Sequence, residues 1–169
     1  MNKYLLSILL SGAIIQGYSQ DNKQNAKWDI EKYKGSTKSF NISTDEGTWM
    51  NLDVSKDGKE IVFDLLGDIY VMPISGGTAK LLSGGIAWDA QPRFSPDGKY
   101  ISYTSDKSGA DNIWIMNRDG SQKKQITKES FRLLNNATWM PHSGYLIARK
   151  HFTGSRSLGA GEMWMYSIY

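Results

Sequence analysis

The chain has 169 residues, 40% of them hydrophobic, a share that is ordinary for a folded domain and too high for a disordered protein. Its formal net charge is only +3 and the charges are interspersed, which argues against a nucleic-acid-binding protein with a basic stripe. The absence of cysteine excludes both a disulfide framework and a lipid attached to cysteine.

The first twenty residues have the pattern of a signal peptide. Lys3 supplies a positive start, an uncharged and mostly apolar run extends from Tyr4 to Ile15, and Gly17-Tyr18-Ser19 offers small residues for cleavage. A membrane helix needs about 20 apolar residues, so this run is short for an anchor. We therefore expect residues 1–20 to be removed, and we expect a periplasmic or secreted protein of a Gram-negative bacterium without a stable membrane anchor.

A repeated segment dominates the rest of the chain, after a predicted linker over residues 21–37. Residues 52–63 align with residues 92–103 at an offset of 40, and a more divergent copy at 137–148 lies 45 positions further on. Two aligned positions are apolar in all three copies, as a common buried site requires: one holds Val54, Phe94 and Trp139, and the other holds Ile61, Ile101 and Leu146. Pro96-Asp97-Gly98 suits a tight turn, so each copy predicts a strand, a turn and a second strand.

Further strands follow in each copy. Mostly apolar third strands are predicted at 69–74, 113–117 and 163–168, and fourth strands at 79–82 and 124–127. Because the third strands lack polar alternation, we expect them to be covered on both faces. Four short antiparallel strands every 40 to 45 residues predict an all-β fold, a β-propeller of four-stranded antiparallel blades. A β-sandwich is the alternative, but it would not repeat one turn at this spacing.

About three blades are present by this count. We place them at about 47–83, 88–128 and 135–169, within a partial propeller over residues 38–169. Three blades fall short of the four to eight that close a ring, so we expect an incomplete ring and the opening portion of a longer protein. A lone strand at about 39–43 would then complete the last blade of the closed ring.

The longest connection of the repeats lies in the third copy and runs from about Phe152 to Glu162. The first copy makes the same connection with little more than Gly67-Asp68. Long loops on rigid scaffolds often carry function, although an ordinary insertion is the alternative. We expect four side chains in and beside it to contact a ligand or a neighbouring domain: Arg149, His151, Arg156 and Glu162.

No residue of the chain is expected to be catalytic or to bind a cofactor or metal. His142 and His151 are isolated, whereas a hydrolytic metal site needs clustered ligands. Ser157 lacks the glycine spacing of a nucleophile elbow. Asp106 and Asp111 bracket a loop that a cation would fit, but hairpin turns use aspartate routinely.

The Asp-Gly-Lys turns and residues 112–117 and 125–127 resemble the TolB-like (WD40-like, PD40-type) propeller repeats of exported bacterial proteins. Residues 45–50 and 149–162 have a narrower resemblance, to the propeller that precedes a metal-dependent amidohydrolase domain. That resemblance implies a non-catalytic accessory or gating domain, with a divalent metal only in a hydrolase domain outside this chain.

Two alternatives remain open from the sequence. One is a periplasmic protein-binding propeller of the Tol type, and the other is the gating propeller of a prolyl-oligopeptidase-like peptidase. The expected partner is therefore a C-terminal catalytic domain of the same polypeptide or a periplasmic protein. These implications come from family resemblance and not from the residues themselves.

Overall fold

The computed structural model describes residues 30–39, 41–152 and 160–169. Within these ranges a short 3₁₀ turn, Ile30–Lys32, precedes eleven strands. In chain order the strands are β1 (Leu52–Val54), β2 (Glu60–Leu65), β3 (Asp68–Pro73), β4 (Lys80–Ser83), β5 (Asp89–Phe94), β6 (Tyr100–Ser105), β7 (Asn112–Asn117), β8 (Lys124–Gln125), β9 (Leu134–Trp139), β10 (Tyr145–His151) and β11 (Gly161–Ser167).

The strands form three antiparallel sheets, which we call blades one, two and three. Blade one has the order β1-β2-β3-β4, blade two β5-β6-β7-β8, and blade three β11-β10-β9. The predicted all-β fold with four-stranded antiparallel blades is therefore confirmed, as an incomplete propeller. The blade boundaries and the linker over 21–37 remain predictions.

The repeated turn explains why the strands pair where they do. The Ser55 hydroxyl donates to Asp57 Oδ1 at 2.6 Å, and that oxygen also accepts the N–H of Lys59. Gly58 closes the turn with a φ of 68°, a conformation that glycine adopts without strain. Blade two repeats these bonds, and in blade three Ser143 takes the same conformation with a φ of 55°.

Strand ends differ from the predicted ones by small shifts. The shifts reach two residues, at the start of β11, which begins at Gly161 and not at 163, and at the end of β8, which ends at Gln125 and not at 127. Beyond Gln125 the Ile126 N–H still donates to the Ile113 carbonyl at 2.9 Å, but the Ile113 N–H donates to the Thr127 hydroxyl at 2.9 Å and not to a backbone carbonyl.

Adjacent blades pack face to face, and we call the face of a sheet toward the preceding blade its front face and the other its rear face. The rear face of blade one and the front face of blade two share one buried core: Val62, Ile69, Val71 and Leu82 with Phe94, Ile101, Tyr103 and Met116. The rear face of blade two meets the front face of blade three in a second core: Ile113 and Ile115 with Leu134, Ala137, Leu146 and Ala148. Each buried large apolar side chain contributes roughly 1.5–3 kcal/mol.

Cover on both faces of the third strands is found for β7 and not for β11 or β3, since only the rear-face residues Ile69 and Val71 are buried in β3. Four of the six β7 residues are buried, on both faces of the sheet. In β11, by contrast, Met163 and Met165 are 62% and 60% exposed. They lie on the rear face of blade three, where no further described blade packs, so the prediction was wrong for that strand.

The N-terminal predictions fall largely outside the described residues, among them the signal peptide over residues 1–20. Residues 39 and 41–43 form no strand, and residue 40 lies outside the described residues. A closing strand requires the last blade of a ring as its partner, so its role remains a prediction. In the part of the chain that the structure describes, no helix has the length and apolar character needed to span a membrane.

Candidate recognition surface

One end of the blades gathers the connections from second to third strand and from one blade to the next. The N–H of Asp89 donates to the carbonyl of Gly67 in blade one at 2.8 Å, and the N–H of Trp88 donates to Asp106 Oδ1 in blade two at 2.8 Å. These bonds place successive connections side by side. We call this end the loop end; its described residues are 66–67, 84–88, 106–111, 128–133, 152 and 160.

The loop end presents the same pair of exposed apolar positions on two adjacent blades. Ile86 and Trp88 lie just before β5, the first strand of blade two. Phe131 and Leu133 lie just before β9, the first strand of blade three, each 45 positions after its counterpart in the repeat alignment. Their exposed fractions are 47% and 61% for the first pair and 77% and 42% for the second. Recurrent exposed apolar side chains at one end of a rigid scaffold are typical of an interaction surface.

Trp88 is held in place although it is exposed. Its backbone is fixed by Asp106, and its ring lies against Gly67, where an added Cβ would stand 2.8 Å from the ring atom Cε3. Gly67 also has a φ of 84°, which favours glycine. A fixed aromatic side chain loses little conformational entropy on binding, so Trp88 is suited to anchor a partner.

The segment that carries the second apolar pair, residues 128–133, also carries charged groups. The Arg132 guanidinium lies 4.9 Å from the centre of the Phe152 ring, and Lys150 forms a half-buried ion pair with Glu129. The Lys150 ammonium also stands 4.7 Å from the centre of the Trp164 ring. Apolar anchors within a polar rim are the usual anatomy of a protein interface.

The predicted contact residues do not form one cluster. Arg149 and His151 lie on the rear face of blade three, because they pair with Met163 and Gly161 of β11. Glu162 pairs with Lys150 and so lies on the front face, where its Oε2 accepts the Trp164 indole N–H at 3.0 Å.

His151 and Arg149 have neighbours within blade three, and Arg156 lies outside the described residues. His151 Nε2 is 3.3 Å from Asn135 Oδ1 within the same sheet. Arg149 packs beside Gly161, where an added Cβ would stand 3.1 Å from its Nε. Arg156 lies outside the described residues, so its role stays a prediction.

Two acidic side chains of the loop end are close enough to influence each other. Burial raises the pKa of Asp111, and the nearby charge of Asp106 raises it further. Among the described residues, no group of three or more His, Asp or Glu side chains is arranged to hold a metal ion. The pair fits a hairpin connection in which Asp106 orients Trp88.

A concavity of about 430 Å³ lies among the first strands of the three blades. Its polar groups hold the blades together: the Arg93 guanidinium donates to the carbonyls of Leu52 and Pro92, and the Trp139 indole donates to the Arg93 carbonyl. We therefore assign this concavity to blade packing.

Sequence reasoning missed Trp88 and Phe131 as candidate contacts. The signal was present, because the repeat offset aligns residues 86–88 with residues 131–133. Apolar residues next to a strand have the same sequence pattern whether they are buried or exposed, so only the structure distinguishes these side chains from core residues.

Comparison with known proteins gives one family. A family model described as the TolB beta propeller domain matches residues 18–164. The Tol-Pal system protein TolB of Wolinella succinogenes is 30% identical over 110 residues, which cover 63% of this chain and 26% of that protein. An uncharacterized protein of Agrobacterium fabrum is 34% identical over 92 residues, which cover 52% of this chain and 30% of that protein.

Solved structures agree with this fold. The structure assigned as TolB from Agrobacterium tumefaciens superposes with a TM-score of 0.63 at 23% identity, covering 73% of this chain and 47% of that one. TolB from Acinetobacter baumannii gives a TM-score of 0.55 at 25% identity, covering 73% and 31%. This chain spans less than a third of the two curated relatives described above.

Proposed function

Because the chain belongs to the TolB β-propeller family, we propose that it is the non-catalytic propeller portion of an exported bacterial protein and that its loop end docks a partner domain. The proposed partner is the catalytic domain of a metal-dependent amidohydrolase on the same polypeptide. Any divalent metal would be held by that domain. The propeller would admit substrate to it or hold substrate back.

The recurrence of exposed apolar pairs on adjacent blades is the observation that carries this proposal. A partner that covered Trp88 and Phe131 would bury two aromatic side chains that are 61% and 77% exposed. Aromatic anchors dominate the energy of many interfaces, and fixed ones cost little to order. The ion pair of Lys150 with Glu129 would form part of the polar rim.

The amidohydrolase assignment rests on the resemblance of residues 45–50 and 149–162 to propellers that precede such domains. Location in the periplasm or outside the cell rests on the pattern of residues 1–20. Both remain proposals of this account.

A second candidate is a Tol-type propeller that binds a separate protein. Its support is the identity of 30% to the TolB of Wolinella succinogenes over 63% of this chain. The same loop end would then contact a periplasmic protein and not a catalytic domain.

Reading the gene downstream of the codon for Tyr169 separates the two candidates. The first requires a further domain with a His-x-His metal motif, and a stop codon there would overturn it in favour of the second. With such a domain present, turnover by the full-length protein is measured for Trp88→Ala combined with Phe131→Ala. We expect at least a tenfold loss. Ile74→Ala, an exposed apolar truncation at the opposite end of blade one, is the control and should leave turnover unchanged.

A further inference from the structure

Arg132, at the loop end, differs from four other half-buried cations of the described residues in the partners of its side chain. Those four have oxygen partners: Arg93 donates to backbone carbonyls, and Lys107, Arg118 and Lys150 form ion pairs with Glu31, Glu60 and Glu129. The Arg132 guanidinium lies 4.9 Å from the centre of the Phe152 ring, and no oxygen of the described residues accepts a bond from it. Taking a cation out of water without such a partner costs free energy. The half-buried guanidinium therefore has unused hydrogen-bonding capacity.

The backbone fixes both members of the stack between Arg132 and Phe152. The Leu133 carbonyl accepts the N–H of His151 at 2.9 Å, and the Phe152 N–H donates to the Ala160 carbonyl at 2.9 Å. A guanidinium that lies over a ring uses its flat face, so the N–H donors at its edge remain available. Because the group is already positioned, a ligand that binds it costs little conformational entropy.

The carboxylate nearest to this group along the chain is already paired. Glu129 forms an ion pair with Lys150. Its backbone is also held in place, because the side chain of Asn112 accepts the Glu129 N–H at 2.7 Å and donates to the Glu129 carbonyl at 3.0 Å. The exposed Lys128 has no carboxylate partner among the described residues. Residues 128–133 therefore carry two positive charges, on Lys128 and on the stacked guanidinium, that no described carboxylate balances.

We propose that the Arg132 guanidinium binds a carboxylate of the docking partner, on an aspartate or glutamate next to the apolar side chains that cover Phe131 and Leu133. Two unbalanced cations favour an acidic surface, and the planar guanidinium matches a carboxylate with two parallel N–H bonds. Phe131 and Leu133 are 77% and 42% exposed, so the same partner surface needs apolar side chains as well. The inference rests on the proposed function and names the chemistry of the surface that the loop end receives.

Two synthetic peptides with blocked ends serve as probes of this chemistry. One is acetyl-Leu-Glu-Leu-Glu-Leu-amide, and the other has glutamine in place of both glutamates, so the two differ in charge and hardly in shape. Fluorescence anisotropy of the labelled peptides measures their binding to the full-length protein. We expect the acidic peptide to bind at least about tenfold more tightly than the neutral one. This preference should shrink in high salt, because salt screens partly exposed charges.

Three variants test whether Arg132 is the source of the preference. Arg132→Gln should remove most of it and leave the affinity for the neutral peptide unchanged. Arg132→Lys, which keeps the charge but not the planar fork, should retain part of it. Lys59→Gln is the matched control, because it removes the same charge from an exposed residue in the turn at the opposite end of blade one, and it should leave the preference intact.

Several results would overturn the proposal. Equal affinity of the unaltered protein for the two peptides, or affinity for neither, would do so. An equal loss of both affinities in Arg132→Gln would show that Arg132 only supports the loop structure. Failure of the proposed function is recognised separately: turnover that survives Trp88→Ala combined with Phe131→Ala counts against docking. If that double variant loses turnover while the acidic peptide has no advantage, the proposed function stands and only the carboxylate site fails.

Discussion

The backbone N–H of Gln91 donates to Oδ2 of Asp64 at 2.7 Å, and this bond joins the first strand of blade two to the second strand of blade one. Gln91 can do so because it has a φ of 58° at a bulge in β5, which turns its N–H out of the ladder. A similar bond joins blade three to blade two, because Asn136 in β9, with a φ of 54°, donates its N–H to Gln91 Oε1 in β5 at 2.8 Å. Bulged first strands thus connect successive blades by hydrogen bonds as well as by their apolar cores.

Asp64→Ala should destabilise the fold strongly. The carboxylate is 6% exposed and accepts three bonds, two from Asn51 and one from Gln91. A hydrogen bond to a charged group contributes roughly 1.5–3 kcal/mol, and the partly buried donors of Asn51 and Gln91 would lose their partner. Urea unfolding measures the loss. Asp119→Ala, in an exposed turn, is the control, and an equal loss in both variants would contradict a special role for Asp64.

Arg118→Lys should weaken the contact between blades one and two by about 1 kcal/mol. The Arg118 guanidinium lies 2.7 Å from Glu60 and 3.3 Å from Asp57 in blade one, and 5.5 Å from the centre of the Phe94 ring. A lysine ammonium cannot reproduce this planar fork. Because the pairs are partly exposed, the difference from the unaltered chain should shrink in 1 M salt. A difference that does not change with salt would indicate lost packing in place of lost charge.

Gly67→Ala should disturb the loop end more than its backbone conformation alone explains. Gly67 has a φ of 84°, and an added Cβ would stand 2.8 Å from the Trp88 ring. Gly76→Ala is the matched control, since Gly76 has a φ of 86° and nothing lies within 4 Å of its added Cβ. The control should cost about 1–2 kcal/mol for the left-handed conformation, and Gly67→Ala should cost more. Equal values in urea unfolding would mean that Trp88 moves away freely.

The stability of the chain should fall as the pH rises above about 4, through the titration of Asp89. Burial raises the pKa of Asp89, while bonds from Ser105 and Ser83 and the charges of Lys123 and Lys107 lower it to a smaller extent. A raised pKa means that the folded state holds the proton to a higher pH than the unfolded state. The ionised carboxylate therefore costs stability once the pH exceeds the folded pKa.

Asp89→Asn removes this titration and keeps an oxygen that accepts from the Ser83 hydroxyl. We expect the melting temperature of the variant, relative to that of the unaltered chain, to rise between pH 4 and pH 7. Asp57 provides the opposite case, because the Ser55 hydroxyl and the Lys59 N–H lower its pKa to about 2. Its contribution is complete above about pH 4 and is lost as the pH falls toward 2. An Asp89→Asn difference that stays constant with pH would refute the assignment.

Much of the fold was predictable because the repeat encodes it locally. Asp97 and Gly98 specify the turn, and apolar residues at matching offsets specify which positions are buried. The third copy folds alike because Ser143 adopts the conformation that Gly98 has in blade two, although nothing in its sequence requires this. The exposure of Met165 was not predictable, since an apolar third strand has the same sequence pattern whether or not a neighbour covers it.

The candidate site was harder to predict because it depends on register. Arg149 and Glu162 lie in neighbouring strands, but the pairing of Lys150 with Glu162 places them on opposite faces. The number of residues in the connection sets that register, and sequence spacing alone did not fix it. Trp88 and Phe131 were missed for a different reason, because hydrophobicity alone does not separate an exposed anchor from a core residue.

The most direct test of recognition through the loop end is a calorimetric titration of this chain with the separately produced catalytic domain of the proposed full-length polypeptide. Trp88→Ala is compared with the unaltered chain, and thermal melts are recorded on the same preparations. Losing the anchor should raise the Kd at least tenfold, about 1.4 kcal/mol, and should leave the melting temperature nearly unchanged because the ring is exposed. An unchanged Kd, or no binding by the unaltered chain, would contradict the account.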